Sequence, residues 1–232
     1  MTDKKNASHE RYKFKPFLGS SHHWALRKIS LLPKSIAVLD VGAGSGAIGA
    51  ALKQMGFSKL AATEIDLAAL EFIKPIYERV SPSLELYKDD KFDLIIVLDV
   101  LEHLVQPQKE YQLLANLLSP GGHMLISVPN TAHWMVRIQL LFGFLEYTER
   151  GLLDRTHLQF FTRKRLKELI KSSQSMELVE LDSSIDPIEL LLPEWIWDNK
   201  VFKVFSRLRL MIARLAPGLF AYQHLALLRK SG

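Results

Sequence analysis

The stretch VLDVGAGSGAIG, residues 38–49, decides the expected fold. An apolar run leads directly into a turn with glycines at alternate positions, Gly42, Gly44 and Gly46. This pattern is typical of a buried strand that ends in a tight loop. The spacing G-x-G-x-x-G at Gly44, Gly46 and Gly49 also matches the dinucleotide-binding fingerprint. Because glycines let the backbone approach a ligand closely, the stretch predicts a binding loop.

On both sides of this loop the sequence alternates between apolar runs and helical patterns. Helices are predicted at 47–56, 67–80, 107–122 and 162–173. Strands are predicted at 36–41, 59–64, 84–87, 92–100, 123–129, 176–181 and 220–230. Strands that alternate with helices predict an α/β fold with a parallel, doubly wound sheet.

Composition limits the class of protein further. The 232 residues contain no cysteine, which excludes a disulfide framework and fits a reducing cytoplasm. The first ten residues are polar and no uncharged apolar run reaches about 18 residues, so we expect neither a secretory signal nor a membrane span. The net charge of +5 arises entirely after residue 194, which argues against a uniformly basic nucleic-acid binder.

The glycine loop by itself does not identify its ligand. Ligands of open parallel sheets bind beyond the carboxyl ends of the strands. A pyrophosphate would face a helix N-terminus there, and Asp40 at the end of the strand would be unfavourable beside it. A ligand that carries a positive charge would instead benefit from the Asp40 carboxylate.

Four segments carry a family resemblance. VLDVGAGSG resembles the D-x-G-x-G-x-G motif of class I S-adenosylmethionine (SAM)-dependent methyltransferases, with Ala43 at a position where cysteine is common. TEIDLAALE resembles the second motif, with Glu64 in the ribose-binding place and Asp66 as a helix cap. LDVLEHL, residues 98–104, resembles the segment that lines the methionine end of SAM, and it favours SAM over a dinucleotide. SPGGHMLISVPN resembles the usual passage from a helix into strand five.

This resemblance implies a Rossmann-like doubly wound, mostly parallel seven-stranded sheet with a helical insertion before the last strand. It implies SAM as cofactor and S-adenosyl-L-homocysteine as product. Asp89 and Asp90 are alternatives for the adenine contact, or belong to a solvated turn. The expected cofactor residues are Asp40, Gly42, Ala43, Gly44, Gly46, Glu64, Ile65, Asp89, Asp90, Asp99 and Val100.

The substrate side is expected after the fifth strand. Residues 147–166 resemble the R-x-H-L-x-F-F-T segment of a bacterial methyltransferase group linked to glycan and cell-surface lipid pathways, and a related pattern occurs in quinone O-methyltransferases. His157 is a candidate general base or a structural histidine, and His103 is a second catalytic candidate or lines the cofactor site. Arg155, His157 and Asn130 are the candidate substrate contacts. Ligand spacing such as H-x-x-x-H is missing, so no metal site is predicted, although an oxygen-rich magnesium site stays open.

Two segments lie outside this core. Residues 1–35 are predicted to form a helical or cap segment, and residues 183–219 a helical insertion into the SAM-binding domain of 36–182 and 220–232. Within 199–215 apolar residues recur at helical spacing with basic residues on the other face. Such a helix packs as a cap or a dimer contact, or lies on an anionic membrane.

The sequence therefore predicts a cytoplasmic SAM-dependent methyltransferase, with peripheral contact to the inner face of the membrane and a homodimer both left open. No N-P-P-Y motif follows the fourth strand, which favours an oxygen atom of a small, saccharide or lipid-linked acceptor and no nucleic-acid partner. The alternatives are a quinone-type or other small-molecule methyltransferase, an NAD(P)-dependent oxidoreductase and a non-catalytic SAM-binding protein.

Overall fold

The computed structural model of the protein describes residues 14–232. Within that part of the chain seven strands form one sheet in the order β3-β2-β1-β4-β5-β7-β6. β7 runs antiparallel to both neighbours, and the other strand pairs are parallel. The strands are β1 Val38–Val41, β2 Leu60–Thr63, β3 Arg79–Ser81, β4 Phe92–Leu98, β5 Leu118–Pro129, β6 Met176–Ser183 and β7 Gln223–Lys230. The predicted doubly wound, mostly parallel sheet is confirmed.

Helices cover both faces of this sheet. In the described residues they are α1 Ser21–Ile29, α2 Ala47–Gln54, α3 Leu67–Ile73, α4 Pro107–Leu117, α5 Trp134–Leu141, α6 Arg163–Lys171, α7 Glu194–Trp197, α8 Lys200–Leu215 and α9 Pro217–Phe220. Single turns of 3₁₀ helix occur at Leu84–Tyr87, Leu101–His103 and Ile188–Leu191. Asp66 caps α3 as predicted, because its carboxylate accepts from the N–H groups of Ala68 and Ala69.

The strand residues alternate between two cores. Leu39 and Ile95 pack against the side chains of α4 and α6, whereas Val38 and Ile96 pack against those of α1 and α2. All four residues of β1 are buried, as expected for a strand between two parallel neighbours. The chain moves from β1 outward to β2 and β3 and then crosses back to β4 on the other side of β1. The carboxyl ends of β1 and β4 therefore form the switch point where ligands of such sheets bind.

The predicted third strand at 84–87 is wrong. Those residues form a 3₁₀ turn, and β3 is Arg79–Ser81, which overlaps the end of the helix predicted over 67–80. Helix α3 ends at Ile73 because Pro75 has no N–H and its ring is incompatible with a continuing helix. Tyr87 turns inward instead, and its hydroxyl donates to the carbonyl oxygens of Ala62 and Arg79 at 3.0 and 3.1 Å.

Other boundaries differ more locally. Helix α4 ends at Leu117, so the Ser-Pro-Gly-Gly segment lies at the start of β5 rather than at the end of the helix. β7 begins at Gln223 rather than at residue 220, because Pro217 opens the short helix α9. Residues 134–141, for which no element was predicted, form α5.

Only part of the two peripheral segments can be compared. Residues 1–13 of the predicted N-terminal segment, including the polar start of the chain, lie outside the described residues, and the remainder carries α1. The helix predicted from apolar spacing after residue 199 is present as α8. The division of the chain into three segments stays a prediction. Among the helices of residues 14–232, none has the length and apolar character needed to span a membrane.

Candidate functional site

The glycine loop after β1 has a conformation that requires glycine. Gly42 has a φ of +66°, and a Cβ built on it would lie 2.8 Å from Cγ2 of Val100. Any other residue would therefore be strained and would also displace Val100. The N–H of Ala43 donates to the Thr63 carbonyl at 2.9 Å, which fixes the turn against the end of β2. The backbone thus lies open towards the space above the switch point.

Glu64 holds the other side of this loop. Its two carboxylate oxygens accept the N–H groups of Gly44 at 2.7 Å and Asp66 at 2.9 Å. An ionised carboxylate has about four acceptor positions, so two backbone bonds leave capacity for two hydroxyl groups of a ligand. The neighbouring Ile65 is 85% exposed and forms an apolar edge next to Glu64.

Asp40 lies beneath the loop and is bound by Tyr77. The Tyr77 hydroxyl donates to Oδ2 of Asp40 at 2.5 Å. Burial raises the pKa of Asp40 to about 7, the Tyr77 hydrogen bond opposes that rise, and the charge of Glu64 adds to it. Tyr77 can reach this position because Gly49 has no side chain, since a Cβ there would lie 2.2 Å from the tyrosine ring. Gly49 therefore serves helix packing.

Asp99 stands at the end of β4 in an uncommon backbone state, with a φ of +57°. Its carboxylate accepts from Nε2 of Gln223 at 2.5 Å and from the Ser127 hydroxyl at 2.6 Å, and Nζ of Lys15 lies 3.6 Å away. Burial favours the neutral acid, but Lys15 and these hydrogen bonds outweigh it, so the pKa of Asp99 is lowered. Asp99 is thus a half-buried anion next to the glycine loop.

A cavity joins these groups. Its lining includes Asp40, Asp99 and the loop backbone of residues 42–45, closed from the side by Lys15 and His22 of the N-terminal segment. Carboxylates beside exposed backbone suit a ligand that carries both a positive charge and hydroxyl groups, as SAM does. His22 belongs to the segment 1–35, which was predicted to be a helical or cap segment. Lys15 was missed because no motif surrounds it.

The two adenine candidates lie away from this cavity. Asp90 pairs with Arg79 at 2.8 Å, and Asp89 is exposed. Arg79, the partner of Asp90, belongs to β3, where the sequence predicted the end of a helix. The ion pair of Asp90 was therefore not expected from the sequence. Both aspartates stay predictions for the adenine contact.

A cluster of Glu102, His103 and His157 forms the opposite end of the site. Their ligand-capable nitrogen and oxygen atoms all lie within 4.8 Å of one another, and the two imidazole rings meet edge to face at 4.9 Å. Burial and the neighbouring His103 lower the pKa of His157, so the ring is neutral at pH 7. The charge of Asp99 contributes to the pKa of both Glu102 and His157.

Glu102 was not predicted as a site residue, although its segment was. Burial, together with the charge of Asp99, raises the pKa of Glu102 well above its usual range. Its backbone carbonyl accepts the N–H groups of Leu158 and Gln159 at 2.8 and 2.9 Å, which brings the two histidine segments together. These segments are more than fifty residues apart, so ligand spacing in the sequence did not reveal a cluster that could hold a metal ion.

The two other substrate candidates have structural partners. Asn130 is fully buried; its amide donates to the Ala221 carbonyl at 2.8 Å and its Oδ1 accepts from Ala132 at 3.0 Å. It joins β5 to the segment before β7, which leaves it without a group directed at a substrate. Arg155 lies exposed at the rim, paired with Glu149 at 2.6 Å.

Comparison with known families gives one match over most of the chain. A family model described as a methyltransferase domain matches residues 20–174. Two similar proteins are both ubiquinone biosynthesis O-methyltransferases. The one from Pectobacterium atrosepticum is 25% identical over 154 residues, which is 62% of this chain and 59% of that protein. The one from Bartonella quintana is 25% identical over 177 residues, 69% of this chain and 68% of that protein.

Solved structures show the same fold at low identity. A SAM-dependent methyltransferase from Archaeoglobus fulgidus has a TM-score of 0.58 at 20% identity and covers 94% of this chain and 97% of its own. The N-methyltransferase NodS from Bradyrhizobium japonicum, in complex with S-adenosyl-L-homocysteine, has a TM-score of 0.56 at 15% identity and covers 99% of this chain and 100% of its own.

Proposed function

The chain belongs to the methyltransferase domain family and is a SAM-dependent methyltransferase, and on this premise we propose that it methylates a hydroxyl oxygen of a small, saccharide or lipid-linked acceptor. The observation that carries the proposal is the neutral, half-buried His157 in a cluster with Glu102 and His103. A neutral imidazole is the side chain best suited to take a hydroxyl proton near pH 7. Nitrogen acceptors need no such group when they react as free amines.

The chain offers a distinct group to each part of SAM. In the proposal Asp40 and the backbone of residues 42–45 face the methionine part, and Glu64 accepts from the ribose hydroxyls beside the apolar edge of Ile65. Asp99 and Val100 border the reacting end. When bound, SAM supplies an electrophilic methyl group on a positively charged sulfur. The described residues fit it because the carboxylates of Asp40 and Asp99 line one cavity with the glycine loop, whose Gly44 N–H is bound by Glu64.

His157 receives the acceptor proton at Nε2. Its Nδ1 lies 3.3 Å from the Leu152 carbonyl oxygen, which can only accept, so Nδ1 carries the hydrogen and Nε2 has a free lone pair. Bound SAM would supply the methyl group to the acceptor oxygen, and S-adenosyl-L-homocysteine would be the product, while His157 takes up the hydroxyl proton at Nε2. His157 then returns the proton to water. His103, edge to face with His157, lowers its pKa and keeps it neutral between turnovers.

A phenolic, quinone-type acceptor is the second candidate. It is favoured by the two similar proteins that are ubiquinone biosynthesis O-methyltransferases. The same His157 would deprotonate a phenol, so the site chemistry is shared and only the acceptor scaffold differs.

The test is methyl transfer from tritiated SAM to fractions of a cell extract, separated into lipid, saccharide and small polar molecules. We expect one labelled product whose methyl group forms an ether, stable to both mild acid and mild base. A parallel assay with a polyprenylated catechol distinguishes the quinone-type acceptor. A labelled N-methyl product, or a base-labile methyl ester, would contradict the proposal of a hydroxyl acceptor.

A further inference from the structure

Helix α8 has its apolar face turned away from the protein. The residues that face the domain are centred on Ser206 and Ala213, both buried. The opposite side of the helix is apolar and exposed, with Val201 at 81% and Leu215 at 77%. The apolar residues of this face, which we call the outer face of α8, are Val201, Val204, Phe205, Leu208, Met211, Ile212 and Leu215. An amphipathic helix that only capped the domain would have the reverse orientation.

Polar contacts hold α8 in this orientation. The Ser206 hydroxyl and Nη1 of Arg209 both donate to Oε1 of Glu189 at 2.9 Å, and Glu189 is only 2% exposed. Nη2 of Arg209 also donates to the Asp186 carbonyl. A buried charge pair holds a defined geometry because separating it leaves an unpaired charge. The outward apolar face is therefore fixed by the fold rather than left by loose packing.

A second exposed apolar segment adjoins α8. Residues 134–147 contain α5 and the chain after it, and nine of their large apolar side chains are exposed. Nη2 of Arg137 donates to the Gly218 carbonyl at 3.3 Å, which links the start of α5 to α9 and so to the end of α8. Of the described large apolar residues that are exposed, 20 of 31 lie in 134–147 or 190–220. Exposed apolar area on this scale marks an interaction surface.

The charge beside the outer face indicates the partner. Helix α8 contains five basic residues and no acidic one. Lys203 and Arg214 pair with Asp198 and Asp182, whereas Lys200 and Arg207 have no acidic partner within the described residues. A two-fold contact between copies of α8 would bring these basic side chains together, which costs free energy. An anionic surface that also accepts apolar side chains matches both properties.

We propose that the outer face of α8, together with residues 134–147, docks on an anionic lipid bilayer. The apolar side chains enter the boundary between headgroups and acyl chains, and Lys200 and Arg207 face the acidic headgroups. Trp134 and Tyr147 are exposed within 134–147, and Trp195 is exposed in α7 just before α8. These aromatic side chains suit the interface, where one side of the ring is apolar and the other is hydrated. The inference does not depend on the acceptor, because binding to lipid is measured without methyl transfer.

The test is flotation of the full chain with vesicles of phosphatidylcholine, with and without about one third phosphatidylglycerol. We expect binding to the anionic vesicles that weakens at high salt, and weak binding to phosphatidylcholine alone. The variant Val204→Asp/Leu208→Asp should bind at least about tenfold more weakly, since burial of one leucine-sized side chain corresponds to about a tenfold change in an equilibrium constant. Lys200→Glu/Arg207→Glu should weaken binding and reduce its dependence on salt.

Matched controls are Leu86→Asp/Leu113→Asp and Lys164→Glu/Lys167→Glu, which alter exposed residues outside 134–147 and 190–220. Circular dichroism and SAM titration check that every variant is folded. Equal flotation of the outer-face variants and the controls would overturn the proposal. A wild-type dimer that Val204→Asp/Leu208→Asp converts to monomer, with no vesicle binding, would assign the face to a second copy of the chain and also overturn it.

Discussion

The two halves of the sheet are built differently. On the side of β1, β2 and β3 the strands are parallel, the loop after β1 is fixed by Thr63 and Glu64, and backbone groups line the cavity. On the side of β5, β7 and β6 the added strand runs antiparallel and a helical segment precedes it. The reactive side chains of that half come from separate segments, joined by the bonds of the Glu102 carbonyl to residues 158 and 159.

In the proposed function, this difference separates binding of the cofactor from handling of the acceptor. The first half uses backbone geometry and two buried carboxylates, which suit a constant ligand. The second half uses titratable side chains and exposed apolar segments, which can change with the acceptor while the sheet stays intact. We therefore predict that substitutions in the half of β1, β2 and β3 change the Kd for SAM and spare kcat. Substitutions in the other half should change kcat and spare the Kd for SAM.

The largest expected effect is on turnover. His157→Ala removes the proposed general base, and we expect kcat to fall by about 100-fold or more, while the Kd for SAM stays unchanged. The pKa of His157 lies below its usual value, so wild-type kcat/KM for the acceptor should fall only as the pH drops below about 6.5. Rapid-quench turnover and SAM titration give the two quantities. A parallel loss of SAM affinity would break the division between the halves.

A converse effect is expected at Glu64. Glu64→Gln replaces an acceptor of the Gly44 and Asp66 N–H groups with a side chain that can bond only one of them well. Loss of a charged hydrogen bond costs about 1.5–3 kcal/mol, so the Kd for SAM should rise by about 10- to 100-fold. Isothermal titration measures this change. Asp66→Asn, which keeps the helix cap, is the control and should bind SAM as the wild type does.

Helix α8 allows a comparison within the second half. Arg209→Met leaves the buried Glu189 without its cation, and we expect α8 to be destabilised by about 2 kcal/mol, which raises hydrogen exchange of its amides about 30-fold. The control Arg207→Met changes an exposed side chain and should leave exchange as it is. Equal exchange in the two variants would show that the inner polar contacts do not hold the helix.

The smallest effect concerns Asp40. Because its pKa is about 7, SAM affinity should rise several-fold from pH 6 to pH 8 as the carboxylate ionises and faces the positive charge. Tyr77→Phe removes a hydrogen bond that favours the ionised form, so the same rise should shift to higher pH and affinity at pH 7 should fall about fivefold. An unchanged pH profile would mean that Asp40 does not act as an anion on the cofactor.

The parts of the fold that local pattern determines could be predicted from the sequence. The strand, the glycines and Asp40 follow from consecutive residues, and the alternation of strands and helices determined the sheet. Strand β3 could not be predicted from the sequence. Its three residues, Arg79–Ser81, lie at the edge of the sheet and carry too little apolar pattern to distinguish them from a helix. The orientation of α8 also could not be predicted. Periodicity shows that the helix has an apolar and a basic face, but it does not show which face packs against the domain.

The site shows the same limit. Candidate histidines were identified from their segments, but the contact of Glu102 with His157 depends on a connection across more than fifty residues that no local spacing records. Asn130 was expected at the substrate because it follows β5, and its burial against Ala221 shows that position after a strand does not determine where an amide points.

The place of β7 has a consequence for synthesis. This strand is the last of the seven to leave the ribosome, yet it pairs with both β5 and β6. Until it emerges, β5 presents an unpaired edge and β6 has no neighbour, although the glycine loop and its strands are already complete. We expect chaperones to bind a cotranslational intermediate that has an open sheet edge and an exposed α8. Slower release of the final strand should increase aggregation of the nascent chain.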